Sequence, residues 1–362
     1  MVRRRAPSQN DSPAADRVPK HPRRKWLEVL AGAALFVIAL MALVPPRAAD
    51  FSSHPAPALS YGDAVNRIVT RQQADDRVAA PGGRSILITH GARTARIVVL
   101  FHGLTNSPKQ YEHLGALLYQ AGDNVYIPRL PHHAERNGNA KTLASLTARE
   151  LRGCADSAVD AAQGLGDTVV VAGVSAGGTV TAWVAQNRPD VRRAVIVAPL
   201  LEIGRVPSFL GAPLMNLALH IPNLTRNDSP DSLRPDRELG VSTRAIAEVL
   251  RFGVAVREAA DSTAPRTHDI IFVMNANDHT VKTAPAVALA RRWAEKGATA
   301  LVYQFPRANG LPHDIAEEAH PNANPALVYP TLEALIHGEP AKSALASHRL
   351  WPTAPRITAR PR

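Results

Sequence analysis

Apolar and polar positions divide the chain into stretches of different period. Residues 26–44 are almost wholly apolar, with Glu28 the only charge, and they close on Pro45-Pro46. A helix over these 19 positions reaches roughly 28 Å, close to the hydrocarbon thickness of a bilayer. Residues 61–78 place Val65, Ile68 and Val69 at helical spacing among many charges, which predicts an amphipathic helix packed on the edge of a domain. From residue 85 onward, short runs rich in β-branched residues alternate with stretches of helical period. The strands are predicted over 86–89, 95–101, 124–130, 167–172, 193–199, 270–275 and 300–305. Helices are predicted over 107–121, 142–163, 178–186, 285–296 and 324–337, the last with Asn324 as N-cap and Pro325 in its first turn. The strand runs are continuously apolar, as expected of strands covered on both faces. Repeated β-α order of this kind predicts an α/β fold with a doubly wound, mostly parallel sheet. Residues 201–264 break the alternation as an irregular insertion interrupted by Pro207, Pro213, Pro222, Pro230 and Pro235.

Charge refines the domain plan. The formal net charge of +11 sits at the two ends, +6 in residues 1–25 and +5 in residues 341–362, leaving the body neutral. A neutral body argues against a nucleic-acid partner, and both basic ends read as disordered tails. The plan is therefore a basic N-terminus over 1–25, a transmembrane anchor over 26–44, a linker and edge helix over 45–84, an α/β domain over 85–340 and a tail over 341–362. Arg23-Arg24-Lys25 would hold the N-terminal end in the cytoplasm, with the domain on the outer side. A cleaved signal peptide is the rival reading. Against it stand the long polar leader, the length of the apolar run and the poor cleavage site Pro46-Arg47-Ala48-Ala49. Cys154, the one cysteine, lies in a predicted helix and reads as a small core residue.

The candidate chemistry begins at Gly173-Val-Ser175-Ala-Gly177, where the apolar strand 167–172 turns into a helix. A serine on such a turn projects above the sheet, the flanking glycines let strand and helix backbones pass closely, and the N–H of Ala176 opens the helix. Serine needs a base, and the base a carboxylate to orient it. Two later strand ends carry such groups: Asp278 follows strand 270–275, and His313 lies in the loop after strand 300–305. His279 directly follows Asp278 on an extended backbone, His320 and His337 lie past the expected loop, and Asp314 reads as a helix cap before Ile315.

The sequence resembles the α/β-hydrolase superfamily, in its serine esterase and monoacylglycerol-lipase-like branch. The likeness runs from about residue 85 to 337. It rests on His102-Gly103-Leu104-Thr105, Gly173-Val-Ser175-Ala-Gly177, Asn277-Asp278-His-Thr-Val281 and Pro312-His313-Asp314. It implies a Ser175–His313–Asp278 triad and an oxyanion hole made by the N–H groups of Leu104 and Ala176. His102, Gly103, Gly173 and Gly177 would support it. It further implies a helical lid at about 201–264, where Phe209, Leu210, Leu214, Met215 and Leu217 could line an acyl pocket. The expected function is a membrane-anchored hydrolase of small esters with a hydrophobic acyl group, needing no cofactor. A thioesterase, lipase or amidase of the same fold, or a catalytically silent binding domain, are the alternatives. One departure is Leu130-Pro-His132-His133-Ala134, where such relatives carry Gly-His-Gly. With no third ligand at suitable spacing, the His pair reads as a loop variant and no metal is expected.

Overall fold

The computed structural model describes residues 22–44, 51–136, 138, 140–227 and 240–339. Its strands are β1 (Ile86–Ile88), β2 (Thr94–Phe101), β3 (Asn124–Ile127), β4 (Gly166–Val174), β5 (Arg193–Val197), β6 (Thr225–Asn227), β7 (Gly240–Ser242), β8 (Asp269–Asn275) and β9 (Thr299–Phe305). Its helices are α1 (Pro22–Leu43), α2 (Tyr61–Val78), α3 (Glu112–Gln120), α4 (Ala140–Leu143), α5 (Ala148–Ala162), α6 (Ala176–Asn187), α7 (Ser208–His220), α8 (Thr243–Ser262), α9 (Thr283–Glu295) and α10 (Pro325–His337).

Seven strands form one sheet in the order β1-β3-β2-β4-β5-β8-β9. Only β1 runs antiparallel to its neighbour, pairing Leu87 with Tyr126. The rest are parallel, with Val98 beside Val170, Ala172 beside Val195, Ile196 beside Phe272 and Val273 beside Tyr303. Helices α3 and α10 pack on one face, and α5, α6 and α9 on the other. The central strands are therefore buried on both sides, which explains why Ile97–Phe101 of β2 and Val169–Val174 of β4 carry no polar alternation. The order reverses beside β2 and β4, and the loops at their C-terminal ends frame a crevice of the kind where α/β sheets bind ligands.

Several boundaries differ from the sequence reading, each for a local reason. The helix predicted over 107–121 is a 3₁₀ turn at Pro108–Tyr111 followed by α3. The stretch 142–163 splits into α4 and α5, because Thr147 caps α5 through a reciprocal bond pair with Glu150. The insertion is more regular than its prolines suggested. Pro207 sits at the N-cap of α7 and Pro222 lies past its end, so only Pro213 falls inside. Helix α8 is part of the core, with Val249, Phe252 and Val256 buried and α6 its neighbour. Residues 1–21, 45–50 and 340–362, with Pro230 and Pro235, lie outside the described residues, whereas residues 22–25 of the basic N-terminus, expected to be disordered, form the first turn of α1.

Residues 51–60, expected as a linker, are docked on α5, α6 and α8. Trp183 Nε1 donates to Phe51 O at 2.8 Å, and the Phe51 ring meets Phe252 edge-on. The backbone N–H of His54 donates to Asp156, and that of Ala56 to Asp160. Both aspartates also hold the fully buried Arg188, which takes Asp190 as a third partner. Helix α1 spans 22 residues, four of them before the predicted start, and within it Trp26–Leu43 is long and apolar enough to cross a membrane.

Candidate active site

Strand β4 ends at Val174, and Ser175 takes φ 57° and ψ −115° before α6 begins. A non-glycine residue at positive φ is held there only by its surroundings. Ser175 N–H donates to Val197 O, while Ser175 O accepts from Leu200 and Thr179, so the turn is fixed from both sides. The glycines are steric necessities. A Cβ on Gly177 would collide with the carbonyls of Phe101 and His102, and one on Gly173 would lie 2.6 Å from Thr181 Oγ1. Strand β2 and its following loop thus press directly onto the serine turn.

Two loops from distant parts of the chain converge on this serine. His313 Nε2 lies 2.9 Å from Ser175 Oγ, and His313 Nδ1 lies 2.6 Å from Asp278 Oδ2. Asp278 Oδ1 accepts from the N–H groups of Thr280 (2.8 Å) and Val281 (3.2 Å), and its side chain is fully buried. Burial works against the Asp278 charge, but the His313 bond and the two backbone donors outweigh it and hold the carboxyl below its ordinary value. Burial also works against a charged His313. The bond to Asp278 and the negative charges of Asp314 and Asp278 outweigh that, so the imidazole sits above its ordinary value. Ser175 itself is only 7% exposed.

The loop after β2 supplies the remaining neighbourhood. His102 is fully buried. Its Nε2 accepts from Leu130 N–H at 3.1 Å, which leaves Nδ1 protonated to donate to Gly103 O at 2.9 Å. Burial and the nearby His133 drive its basicity well down, so His102 holds the loop as a neutral imidazole. Gly103 N–H donates to Gln110 Oε1 at 2.8 Å. The N–H groups of Leu104 and Ala176 have no acceptor among the described residues.

The other candidates disperse. His279 is exposed. His337 bonds Asp123 ahead of β3, at the opposite end of the sheet. His320 accepts from Asn322 N–H in its own turn. His132 faces Glu150 and Glu135, whereas His133 is buried edge-on to His102 and bonds Pro131 O, with burial pushing its pKa down to about 4. The two rings therefore diverge and share no ligand.

Asp314 is no helix cap, because turns rather than a helix follow it. Its carboxylate instead faces the site, 4.0 Å from His313 Nε2 and 3.4 Å from Asn106 Nδ2. Sequence reasoning also missed Asn275 and Gln110. Asn275 Nδ2 donates to the carbonyls of Leu311 and Pro312, fixing the backbone just before His313. A buried asparagine closing an apolar strand was the available signal; Gln110 left none.

Comparison with known proteins decides the family. A family model described as serine aminopeptidase, S33, matches residues 92–319, which is more than half of the chain. The chain belongs to this family. It is accordingly a hydrolase of the α/β-hydrolase fold, and the solved structures it resembles have that fold. One, from work on the metagenome-derived lipolytic enzymes LipS and LipT, is 18% identical, with TM-score 0.55 over 72% of this chain and 100% of that one. Another, the monoacylglycerol lipase of Paleococcus ferrophilus, is 19% identical, with TM-score 0.53 over 70% of this chain and 98% of that one. No curated protein matches the chain.

A cavity of about 540 Å³ lies within the insertion, between α7 and α8, and Ser175, Asp278 and His313 are not among its lining residues. Leu214, Met215 and Leu217 line it as the sequence suggested, but Phe209 and Leu210 do not. Phe209 is 78% exposed instead.

Proposed function

We propose that this hydrolase cleaves carboxylic esters through an acyl-enzyme on Ser175, and that α1 anchors it in a membrane. The observation that carries the reading is the continuous hydrogen-bonded line Ser175 Oγ, His313 Nε2, His313 Nδ1, Asp278 Oδ2. Its members come from three strand ends, and a binding domain has no need of such a line. In the reaction Ser175 Oγ adds to the ester carbonyl as His313 Nε2 takes its proton. Asp278 keeps Nδ1–H in place and stabilises the imidazolium. Collapse expels the alcohol, which receives that proton, and water then repeats the sequence to release the acid and restore Ser175.

The carbonyl oxygen would be received by the N–H groups of Leu104 and Ala176, the latter also at the N-terminus of α6. Each such donor is typically worth about 3 kcal/mol in the transition state. His102 and Gln110 support the first donor by fixing the backbone on either side of Gly103. The part of the insertion before α8 would act as the lid, and the apolar cavity between α7 and α8 favours a substrate with a hydrophobic acyl chain over a polar peptide. A thioester or amide carrying an apolar acyl chain would meet the same machinery.

The test is hydrolysis of p-nitrophenyl esters of increasing chain length, beside covalent labelling with a fluorophosphonate probe. The wild type is expected to turn over the esters with a chain-length optimum and to take one label, and Ser175→Ala to lose both, with kcat down about 10⁴-fold or more. A wild type that neither hydrolyses an ester nor takes the label would overturn the reading.

A further inference from the structure

Asp314 carries a charge that the fold leaves nearly unbalanced. Its carboxylate meets Asn106 Nδ2 at 3.4 Å and His313 Nε2 at 4.0 Å, and no lysine or arginine pairs with it among the described residues. The side chain is 18% exposed, so water and salt screen it only in part. Its charge is felt nearby: burial, and after it Asp314, pushes the Tyr111 phenol well above its ordinary value. A carboxylate so placed has given up hydration that one long bond to an amide does not replace. The surroundings on the oxyanion loop supply no cation. A Cβ on Gly103 would have Asp314 Oδ1 at 3.4 Å, Gln110 Oε1 at 3.7 Å and Asn106 Nδ2 at 3.8 Å, two oxygens and one amide nitrogen.

This position has two opposed effects on the reaction. Gly103 precedes Leu104, whose N–H would receive the carbonyl oxygen, so the carboxylate stands close to both charges that develop in the transition state. It favours the imidazolium at His313 and disfavours the oxyanion. With a neutral ester the two effects work against each other. A positive charge on the substrate alters the balance, because it is attracted to Asp314 and masks that carboxylate from the oxyanion. The half of the ester that can carry it follows from the proton path. The leaving alcohol receives its proton from His313 Nε2 at about 3 Å. Asp314 Oδ1 is 4.0 Å from the same nitrogen, which puts the carboxylate within about 7 Å of the leaving oxygen. An ammonium group two carbons from that oxygen spans such a gap.

We propose that Asp314 is a specificity residue for the alcohol half of the substrate, selecting esters of amino alcohols over esters of neutral alcohols. The inference rests on the ester-hydrolase reading of Ser175 and adds a second requirement to the apolar acyl group. The acyl half makes no demand on Asp314.

The test uses the full chain and two esters of the acyl chain that is optimal in the p-nitrophenyl series. One is the choline ester; the other is its neutral isostere, in which carbon replaces the quaternary nitrogen. The pair share one shape and form the same acyl-enzyme, so the ratio of their kcat/KM values reports the charge on the alcohol. Any effect of Asp314 on the basicity of His313 is common to both and cancels in the ratio. The wild type is expected to prefer the choline ester tenfold or more, with the preference shrinking as salt is added. Asp314→Asn is expected to bring the ratio within twofold of unity. A wild type without the preference overturns the proposal, as does an Asp314→Asn variant that keeps it. Should that variant misfold, inhibition of the wild type decides: choline is expected to compete with the p-nitrophenyl ester tenfold better than the neutral alcohol, and equal inhibition overturns the proposal. If the wild type hydrolyses no ester and takes no fluorophosphonate label, the catalytic reading has failed and takes the inference with it. If it hydrolyses p-nitrophenyl esters but treats the two test esters alike, the inference alone has failed.

Discussion

Two carboxylates approach the same imidazole from different sides. Asp278 holds His313 Nδ1, while Asp314 stands 4.0 Å from Nε2, the edge that faces Ser175. Both negative charges favour the imidazolium and raise the His313 value against the effect of burial. A base must be neutral to accept a proton, so activity is lost as pH falls through that raised value. Removing the Asp314 charge lowers the value. Asp314→Asn keeps the shape and the contact with Asn106, and is expected to move the acid limb of the kcat/KM profile to lower pH. A limb that stays in place would show that Asp314 does not act on His313. Asp278→Asn has a different consequence: with its amide in place of the carboxylate, the imidazole tautomer is wrong, and kcat is expected to fall about 10⁴-fold with little change in the midpoint of thermal unfolding.

At the scale of elements, the serine turn is held by close approach rather than by strong local preference. Gly177 lets α6 lie against the end of β2, and the carbonyls of Phe101 and His102 fill the space a side chain would take. Behind α6, Arg188 ties its C-terminal end to α5 through Asp156 and Asp160, and those same carboxylates catch the incoming chain at His54 and Ala56. Truncating this arginine would strand buried carboxylates that currently share its charge. Arg188→Ala is therefore expected to cost about 3 kcal/mol or more, a fall of about 6–12 °C in a thermal melt. Arg188→Met, which fills the same volume without the charge, strands the same carboxylates and is expected to cost nearly as much. A fall of under 2 °C for the alanine variant would show that water replaces the arginine without penalty.

At the scale of the molecule, the chain combines a neutral catalytic domain, an apolar helix and two basic ends. The domain's anchoring through residues 51–60 is made with its own core, so cutting before residue 51 leaves those contacts intact. Protein lacking residues 1–50 is expected to be recovered without detergent, to melt within a few degrees of the full chain, and to hydrolyse soluble esters at an unchanged rate. Recovery only in detergent would mean that the apolar face of α7 needs α1 as a partner for solubility.

Much of the fold was legible because strand burial on both faces leaves continuous apolar runs, and because turns and caps are local. The ranges of β2, β8, β9 and α2 follow from Thr94–Phe101, Asp269–Asn275, Thr299–Phe305 and Tyr61–Val78 almost residue for residue. Ser175, Asp278 and His313, which the fold brings into one hydrogen-bonded line, were legible as candidates because each lies in the segment that follows a strand end, where a sheet of this order presents its loops. The misses share the opposite property. Asp314 meets Asn106 across 208 positions, Asn275 meets Leu311 across 36, and Phe51 meets Trp183 across 132. No local pattern marks such pairs, since they depend on which loops the sheet order brings together.

The sequence by itself determined the layered α/β plan, the serine turn and the apolar N-terminal helix, because periodicity, glycine sterics and length are properties of neighbours along the chain. Only the tertiary structure decided that Asp314 faces the imidazole, that residues 51–60 are docked, and that α7 touches α1 while lining the cavity with α8. Those are distances between segments, and they arise only when the sheet fixes one loop against another.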